Sequence, residues 1–225
     1  MEPVIKHQWR VSPEEAACLQ REMALRVEQE DRIDPVRYAA GVDVAYSKHS
    51  DRLIAAVVVL DVETLSVADS AVVEAEAQFP YIPGLFSFRE LPPVIEAFRR
   101  LTVYPQLVIC DGQGLAHPRR FGLACHLGVL FDLPAIGCGK TRLLGDFAAP
   151  PSARGAAAPL LHEGQIIGSA LRTQTNINPV FVSVGHRISL PAACGWVLKL
   201  APQYRLPETT RQADHLVNQV LRHGR

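Results

Sequence analysis

A ten-residue run, LIAAVVVLDV, extends from Leu53 to Val62 and limits the folds open to this chain. Nearly every position in it is apolar, so an extended strand here would be buried on both faces, as central strands are. Strand-like segments flank it at Tyr38 to Tyr46 and at Ser66 to about Glu76. The short gaps between the three segments favour an antiparallel meander.

The second half of the chain alternates strands and helices. QLVICDG is typical of a buried strand, residues 121–131 of a helix and PAIGCG of a short strand, and this spacing predicts parallel pairing through a right-handed crossover. The stretch FAAPPSARGAAAP is expected to be a surface loop. Two strands (165–173 and 179–184) and two helices (191–200 and 208–223) follow it.

Two helices are expected in the first half. Ser12 followed by Pro13 predicts a capped helix start, and that helix should run to about Glu30. A second helix should begin around Leu91-Pro92-Pro93 and run through Leu101. The sum is an α/β fold with a mixed sheet, antiparallel first and parallel later, flanked by helices. We treat residues 1–225 as one domain, since this length suits one sizeable α/β unit.

Composition narrows the class of protein. Five cysteines, odd in number and without C-x-x-C spacing, indicate a reducing cytoplasm and argue against a structural zinc site. No apolar run reaches the length of a membrane span, and the N-terminus carries charge where a signal peptide would be apolar. A formal net charge of zero weighs mildly against nucleic-acid binding by bulk charge.

Four acidic residues stand where strands and helices give way to turn sequence: Asp43, Glu90, Asp111 and Asp214. Carboxylates at element ends can converge in space, and converged carboxylates repel one another unless a hard cation holds them together. Together they predict a Mg²⁺ site for a phosphate ester. Taken singly, each also fits an ordinary task, as a turn cap, a helix-dipole partner or a solvated side chain.

Apart from the acids, three features of the sequence bear on function: the FPYIPG loop, the GKT segment that contains Lys140, and the pair His117 and Arg119. The FPYIPG loop, residues 79–84, is stiffened by Pro80 and Pro83, so that Tyr81 and Ile82 fit a wedge between stacked bases or, equally, a turn packed on the core. GKT at 139–141 is no P-loop, because Pro134 stands where that motif needs glycine.

Basic side chains near the acids fit a phosphate substrate. Lys140, at a strand end, suits neutralising a scissile phosphate or activating a water, and equally an ordinary solvated lysine. His117 and Arg119 suit phosphate contacts or a plain surface turn.

Taken together, these segments resemble the endonuclease V family of deoxyinosine-directed nucleases. The resemblance rests on AGVDVAYS, FPYIPGLFSFRE, DGQGLAHPRRFGLACHLG, GCGKTRL and PETTRQAD, in this order, from about Trp9 to Asp214. It implies a ribonuclease H-like fold. It also implies that Asp43, Glu90, Asp111 and Asp214 hold the metal, with Lys140 as the active-site lysine, and that Tyr81 is the tip of a strand-separating wedge.

The resemblance further implies a hypoxanthine pocket and a reaction. Gly84, Phe86, Gly112 and Gly122 match the positions that line the pocket. The implied reaction is Mg²⁺-dependent hydrolysis, with Mn²⁺ as an alternative ion, of the second phosphodiester bond 3′ to deoxyinosine by a monomer. Cleavage of inosine in RNA, or non-catalytic nucleic-acid binding on the same fold, are the alternatives. Retention of all four carboxylates argues against the last.

Overall fold

The computed structural model describes residues 1–47 and 50–223. Within these ranges the helices are α1 (Pro13–Ala24), α2 (Phe86–Arg100), α3 (Leu123–Phe131), α4 (Leu190–Lys199) and α5 (Glu208–His223). The strands are β1 (Tyr38–Tyr46), β2 (Arg52–Asp61), β3 (Val67–Glu76), β4 (Leu107–Cys110), β5 (Ala135–Gly139), β6 (Ala157–His162), β7 (Gln165–Leu171) and β8 (Val180–His186).

One mixed sheet holds these eight strands in the order β3-β2-β1-β4-β5-β8-β7-β6. The first three form the predicted antiparallel meander, and β4 lies parallel to both β1 and β5, as the strand–helix–strand spacing predicted. The sheet then returns to antiparallel pairing through β8, β7 and β6. The predicted α/β class with a mixed sheet is therefore confirmed.

Helices cover both faces of the sheet, because alternate residues of the inner strands point to opposite layers. Val108 of β4 packs in the layer that holds α2 and α3, whereas Ile109 packs with α4. Helix α5 lies on the α4 side, where Val217 meets Ile54 of β2. Strand β2 is buried from Leu53 to Leu60, as its sequence predicted. No helix in the described ranges is long and apolar enough to cross a membrane.

Helix α1 ends six residues earlier than predicted. Ser12 caps it through the backbone N–H of Glu15, in a complete capping box. After Ala24 the chain leaves the helix and binds the end of β8, where Glu28 donates its backbone N–H to His186 Nδ1 at 3.2 Å and accepts a bond from the Arg187 N–H at 2.7 Å. Tertiary hydrogen bonds replace the last helical turns.

Helix α2 begins at Phe86, before the position that its prolines indicated, so our expected start was wrong. Pro92 and Pro93 lie inside the helix, where each removes one backbone donor. Burial of the apolar side chains that follow, Val94 and Phe98 among them, offsets that cost. Consequently Glu90 lies in the second turn of the helix and not at its N-terminus.

Strand β6 was also missed, because its first three residues belong to the stretch expected to be a surface loop. Residues Ala157–His162 alternate between exposed and buried positions, as a strand with one covered face does. They pair antiparallel with β7, across a turn at Glu163 and Gly164. Leu160 points inward and is 1% exposed. The loop is therefore shorter than predicted, since it ends before Ala157, where β6 begins.

Gly41 sets how closely α5 approaches the sheet. A Cβ atom at this position of β1 would lie 2.0 Å from the backbone oxygen of Thr209, on the first turn of α5. Strand and helix backbones are therefore in direct contact here. This contact brings Asp214, one and a half turns further along α5, towards the carboxyl half of β1.

We expect Gly41→Ala to displace α5 and to lower the free energy of unfolding by at least about 2 kcal/mol, since both atoms of the clash are backbone or Cβ. Gly195→Ala is the matched control, because a Cβ on this exposed residue of α4 meets nothing within 4 Å. It should be neutral or stabilise by roughly 0.5–1 kcal/mol. Urea denaturation of the wild type and both variants measures these changes in the free energy of unfolding. Equal changes in Gly41→Ala and Gly195→Ala would contradict the proposed contact.

Candidate active site

The parallel pairing of β1 with β4 puts two carboxylates side by side. Val42 is in register with Cys110, so Asp43 stands next to Asp111, the residue that follows β4. The Asp111 backbone N–H is 3.4 Å from the Val42 carbonyl oxygen and extends the ladder by one step. The small neighbours of Asp43 on its own face, Gly41 and Ala45, leave the space beside it open.

Lys140 joins the acids from the next strand. It follows β5, which is parallel to β4, so its side chain emerges at the same edge of the sheet as Asp111. Lys140 Nζ lies 2.5 Å from Asp111 Oδ2 and 3.5 Å from Asp214 Oδ1. The lysine therefore bridges the carboxyl end of the sheet to α5.

Glu90 approaches from the helix layer on the other side. The Tyr46 hydroxyl, at the end of β1, donates to Glu90 Oε1 at 2.6 Å and fixes the carboxylate. The preceding residue, Arg89, holds the chain by donating to the Phe79 carbonyl oxygen at 2.7 Å. Helix α2, which we predicted to begin around Leu91, begins at Phe86 and therefore includes Glu90.

The electrostatics of the cluster favour an added positive charge. Burial and the neighbouring Asp111 carboxylate raise the pKa of Asp43 to about 7. Burial, with the charges of Asp43 and Asp111, also raises the pKa of Glu90 to about 7, against the opposing Tyr46 hydrogen bond. Burial alone would lower the pKa of Lys140, but its contact with Asp111 raises it above the ordinary value. The cluster thus contains a firmly charged lysine and two carboxyl groups, Asp43 and Glu90, whose pKa values are raised.

These side chains suit a hard divalent cation by their chemistry, since they offer carboxylate oxygens and excess negative charge. Within residues 1–47 and 50–223, no three acidic, histidine or cysteine side chains are close enough to enclose an ion by themselves. Mg²⁺ fits such a site, because it is usually bound through one or two carboxylates and keeps water or substrate oxygens as its other ligands. Meanwhile Lys140 supplies the positive charge to Asp111.

A cavity of about 360 Å³ opens beside the carboxylates, within the range of about 300–1,000 Å³ typical of ligand sites. All four residues assigned to the base pocket line it: Gly84, Phe86, Gly112 and Gly122. Glu90, Asp111 and Lys140 form one wall of the same cavity. A base held there would therefore lie next to the acids.

A second, wider groove of about 1,050 Å³ runs along the other side of Lys140. Asp43 and Asp214 line it, together with the cationic side chains Arg52 and Arg222. The two openings share Lys140 and together place all four acids and the lysine along one continuous surface. Such a surface suits a ligand that puts a base in the cavity and its backbone in the groove.

The carbonyl oxygen of Gly84 is held by three side chains. Gln20 Nε2 donates to it at 3.0 Å, His117 Nε2 at 3.0 Å and Arg119 Nη2 at 2.7 Å. Gly84 itself has φ +79°, a conformation that glycine adopts without strain. His117 is 4% exposed, and its bond to Gly84 helps to position this turn. Phosphate contact by His117 or Arg119 stays a prediction.

The FPYIPG loop is fixed at both ends and exposed at its tip. Phe79 is buried, Gly84 is held as described, and Leu85 donates its backbone N–H to the Ile82 carbonyl oxygen at 2.9 Å. Between these anchors Pro80 and Pro83 are exposed, and Tyr81 is 66% exposed while packing at a tilt against Phe86, with ring centroids 4.9 Å apart. The tyrosine thus stands at the rim of the base cavity.

Sequence patterns did not reveal several residues of the site. Tyr46 orients Glu90, Gln20 reaches Gly84 from α1, and Ser87 and Gln113 add polar groups to the cavity wall. Tyr46 lies three residues after Asp43 at the end of the same strand, which was the one signal available for it. The others act through contacts between residues distant in the chain.

Comparison with known proteins identifies the family. The model of the family "Endonuclease V" matches residues 21–215. The chain belongs to the endonuclease V family. Endonuclease V of Roseiflexus castenholzii is 49% identical over 219 residues, covering 97% of this chain and 98% of that protein. The crystal structure of endonuclease V from Streptomyces avermitilis is 48% identical with a TM-score of 0.93, covering 98% and 97% of the two chains.

A more distant structure shares the fold. Endonuclease V of Ciona intestinalis, 24% identical with a TM-score of 0.83 and covering 94% and 98% of the two chains, was crystallised with a DNA that contains an inosine followed by a ribo-adenosine. Membership of the endonuclease V family makes this chain a nuclease that acts in DNA repair. The family is one of metal-dependent nucleases.

We expect acid to destabilise the endonuclease V fold through His117. Burial and the Arg119 charge lower the pKa of His117 to about 4, so it folds as the neutral form that accepts the Arg119 backbone N–H on Nδ1. Because the unfolded side chain binds a proton near pH 6.5, stability is full above that pH and falls between pH 6.5 and 4. The loss attributable to His117 is on the order of 3 kcal/mol.

Urea denaturation between pH 7.5 and 4 measures this loss for the wild type and His117→Gln. The variant should lose less stability than the wild type over this range. His126, whose pKa burial also lowers, and Asp43 and Glu90, whose raised pKa values act in the opposite direction, contribute equally to both proteins and cancel in the comparison. Parallel curves for the two proteins would contradict the assigned role of His117.

Proposed function

We propose that this protein is a deoxyinosine-directed DNA repair endonuclease that hydrolyses the second phosphodiester bond on the 3′ side of the lesion. The observation that carries this proposal is the shared wall: Glu90, Asp111 and Lys140 line a base-sized cavity and also belong to the carboxylate cluster. A nucleotide whose base enters the cavity would have its backbone close to the acids. The Ciona relative, bound to inosine-containing DNA, supports the choice of base.

Hypoxanthine suits this cavity by size and by polarity. It lacks the 2-amino group of guanine, so a wall that fits closely at that position would exclude guanine. Adenine, whose 6-amino group takes the place of the 6-oxo oxygen, must instead be rejected by its hydrogen-bonding pattern. Gly112 and Gly122 expose backbone on the wall, which allows backbone groups to approach the base. Extrusion of a weakly paired base also costs less than extrusion of a normal one.

Mg²⁺ is the metal that we assign, with Mn²⁺ as an alternative. Asp43, Glu90, Asp111 and Asp214 are the side chains that would hold it. When bound, such an ion activates water and offsets charge at phosphorus and on the leaving oxygen.

Protein side chains supply orientation and charge around that centre. Lys140 Nζ, now paired with Asp111, is placed to approach a phosphate oxygen when substrate enters between them. The Tyr46 hydroxyl keeps Glu90 oriented by donating to Oε1. Arg52 and Arg222 in the groove are the cationic groups that would contact phosphates along the strand. Charged Arg119 is a further phosphate contact that we propose, whereas buried, neutral His117 would act through its bond to Gly84.

Cleavage of a defined strand tests the proposal. A DNA oligonucleotide with one deoxyinosine should be nicked in the presence of Mg²⁺, with the cut mapped to the second phosphodiester on the 3′ side. Asp43→Ala should lower nicking by a factor of about 10³ or more, as loss of a group that acts on the reacting centre does, while affinity for the strand changes little.

Glu63→Gln is the matched control, because this acid is 77% exposed and lies at the opposite end of the meander, beyond the pairing of Tyr38 with Asp61. It should nick like the wild type. Failure of the wild type to nick inosine in either DNA or RNA would overturn the proposal.

The same strands test the wedge. Tyr81→Ala removes an exposed ring that packs against Phe86, so it should reduce nicking of an inosine-containing duplex more than nicking of the matching single strand. A large fall in melting temperature would instead favour a packing role for this tyrosine.

Inosine in RNA is the second candidate substrate. The Ciona complex, in which a ribo-adenosine follows the inosine, is the observation that favours it. Matched RNA and DNA strands in the cleavage experiment separate the two substrates. We further propose a monomer that works in the cytoplasm, in keeping with five free cysteines.

A further inference from the structure

Ser87 lies in the wall of the base cavity and is connected by hydrogen bonds to two histidine rings behind it, of which His126 is buried and His7 partly buried. It stands on the first turn of α2 and is 2% exposed. Its Oγ is 2.9 Å from His126 Nδ1, His126 Nε2 is 2.8 Å from His7 Nε2, and His7 Nδ1 is 2.7 Å from the Gln8 carbonyl oxygen. Four groups thus form one hydrogen-bonded chain that ends in the cavity.

The last member of this chain fixes the direction of every proton in it. A carbonyl oxygen only accepts, so His7 Nδ1 carries the proton and, in the neutral ring, His7 Nε2 accepts. His126 Nε2 must therefore donate, which leaves His126 Nδ1 as an acceptor. The Ser87 hydroxyl must then donate its own hydrogen to His126. With its hydrogen used in this way, Ser87 Oγ can only accept a hydrogen bond from a ligand in the cavity.

The surroundings keep both rings neutral and in place. Burial lowers the pKa of His7 and, more strongly, that of His126. The two histidine rings stack with centroids 5.0 Å apart. Trp9 stacks on His126 at 5.5 Å and packs at a tilt against His7 at 4.2 Å. These contacts and the full burial of His126 hold the two rings in the orientation that their hydrogen bonds require.

We propose that Ser87 Oγ is a fixed hydrogen-bond acceptor that receives the N1–H of the extruded hypoxanthine, and that His126 and His7 are positioning residues that keep it an acceptor. This inference rests on the proposed function, since it names how the cavity reads its base. Hypoxanthine carries a hydrogen on N1, whereas adenine has a lone pair there. With adenine, N1 and Ser87 Oγ would both be acceptors and would repel each other. Guanine also carries N1–H, so its exclusion must come from its 2-amino group.

The proton positions can be measured without substrate. Nitrogen-15 NMR of the histidine rings at pH 7.5 should show His126 protonated on Nε2 and His7 protonated on Nδ1. The reverse pattern at His126 would make Ser87 a donor to the cavity and would overturn the inference, whatever the enzyme cleaves.

The contact to N1–H is tested by changing the serine and the base together. In an Asp43→Ala background, which binds without cutting, Ser87→Ala should weaken binding of a deoxyinosine strand by about 10- to 100-fold. It should leave binding of a deoxynebularine strand, whose purine has a lone pair in place of N1–H, unchanged or make it stronger. Equal losses on the two strands, or no loss on deoxyinosine, would overturn the inference.

Matched ring substitutions test the positioning residues in the same assay. His7→Phe keeps an aromatic ring but removes the acceptor for His126, so it should weaken deoxyinosine binding severalfold and spare deoxynebularine. Trp9→Phe, which alters the stacking but no hydrogen bond in the chain, should affect both strands alike. A His7→Phe protein that still distinguishes the strands as the wild type does would overturn the positioning role.

If the wild-type protein does not prefer deoxyinosine to deoxyadenosine, the proposed function fails. The NMR pattern still decides the acceptor role of Ser87 in that case, so the two failures are distinguishable.

Discussion

The repulsion between Asp43 and Asp111 is the constraint on which the rest of the site depends. Parallel pairing of β1 with β4 forces these carboxylates together, and burial raises the pKa of Asp43 to about 7. Two carboxylates held together at the ends of neighbouring strands destabilise the fold unless a cation lies beside them. Lys140 meets that need in the protein by itself, and a divalent ion together with a phosphate would meet it during catalysis.

Close packing around the sheet turns this local repulsion into a site. The backbone contact at Gly41 draws α5 onto β1 and so brings Asp214 within reach of Lys140. From the opposite layer α2 contributes Glu90, and its first turn also carries Phe86 and Ser87 in the wall of the base cavity. One helix therefore links the group that would recognise the base to a group that would act on the backbone.

The sequence was informative where physics is local and less so where it is not. The apolar run of β2, the capped start of α1 and the alternation that makes β4 and β5 parallel could all be predicted, because each depends on neighbours in the chain. The start of α2 could not, since tertiary burial outweighs its two internal prolines. Strand β6 was hidden because alanine and proline at its start resemble a loop.

The same division holds within the site. The acids were predicted from strand ends and the glycine-rich pocket from family motifs, and the structure places them along the same two openings. Ser87, His126 and His7 were not found, because residues 87 and 126 are joined only by folding. Electron paramagnetic resonance of Mn²⁺ tests the central claim, that these acids form one cation site with which Lys140 competes. We expect Asp111→Asn to weaken Mn²⁺ binding at least about tenfold and Lys140→Met to strengthen it; unchanged binding in Asp111→Asn, or weaker binding in Lys140→Met, would contradict it.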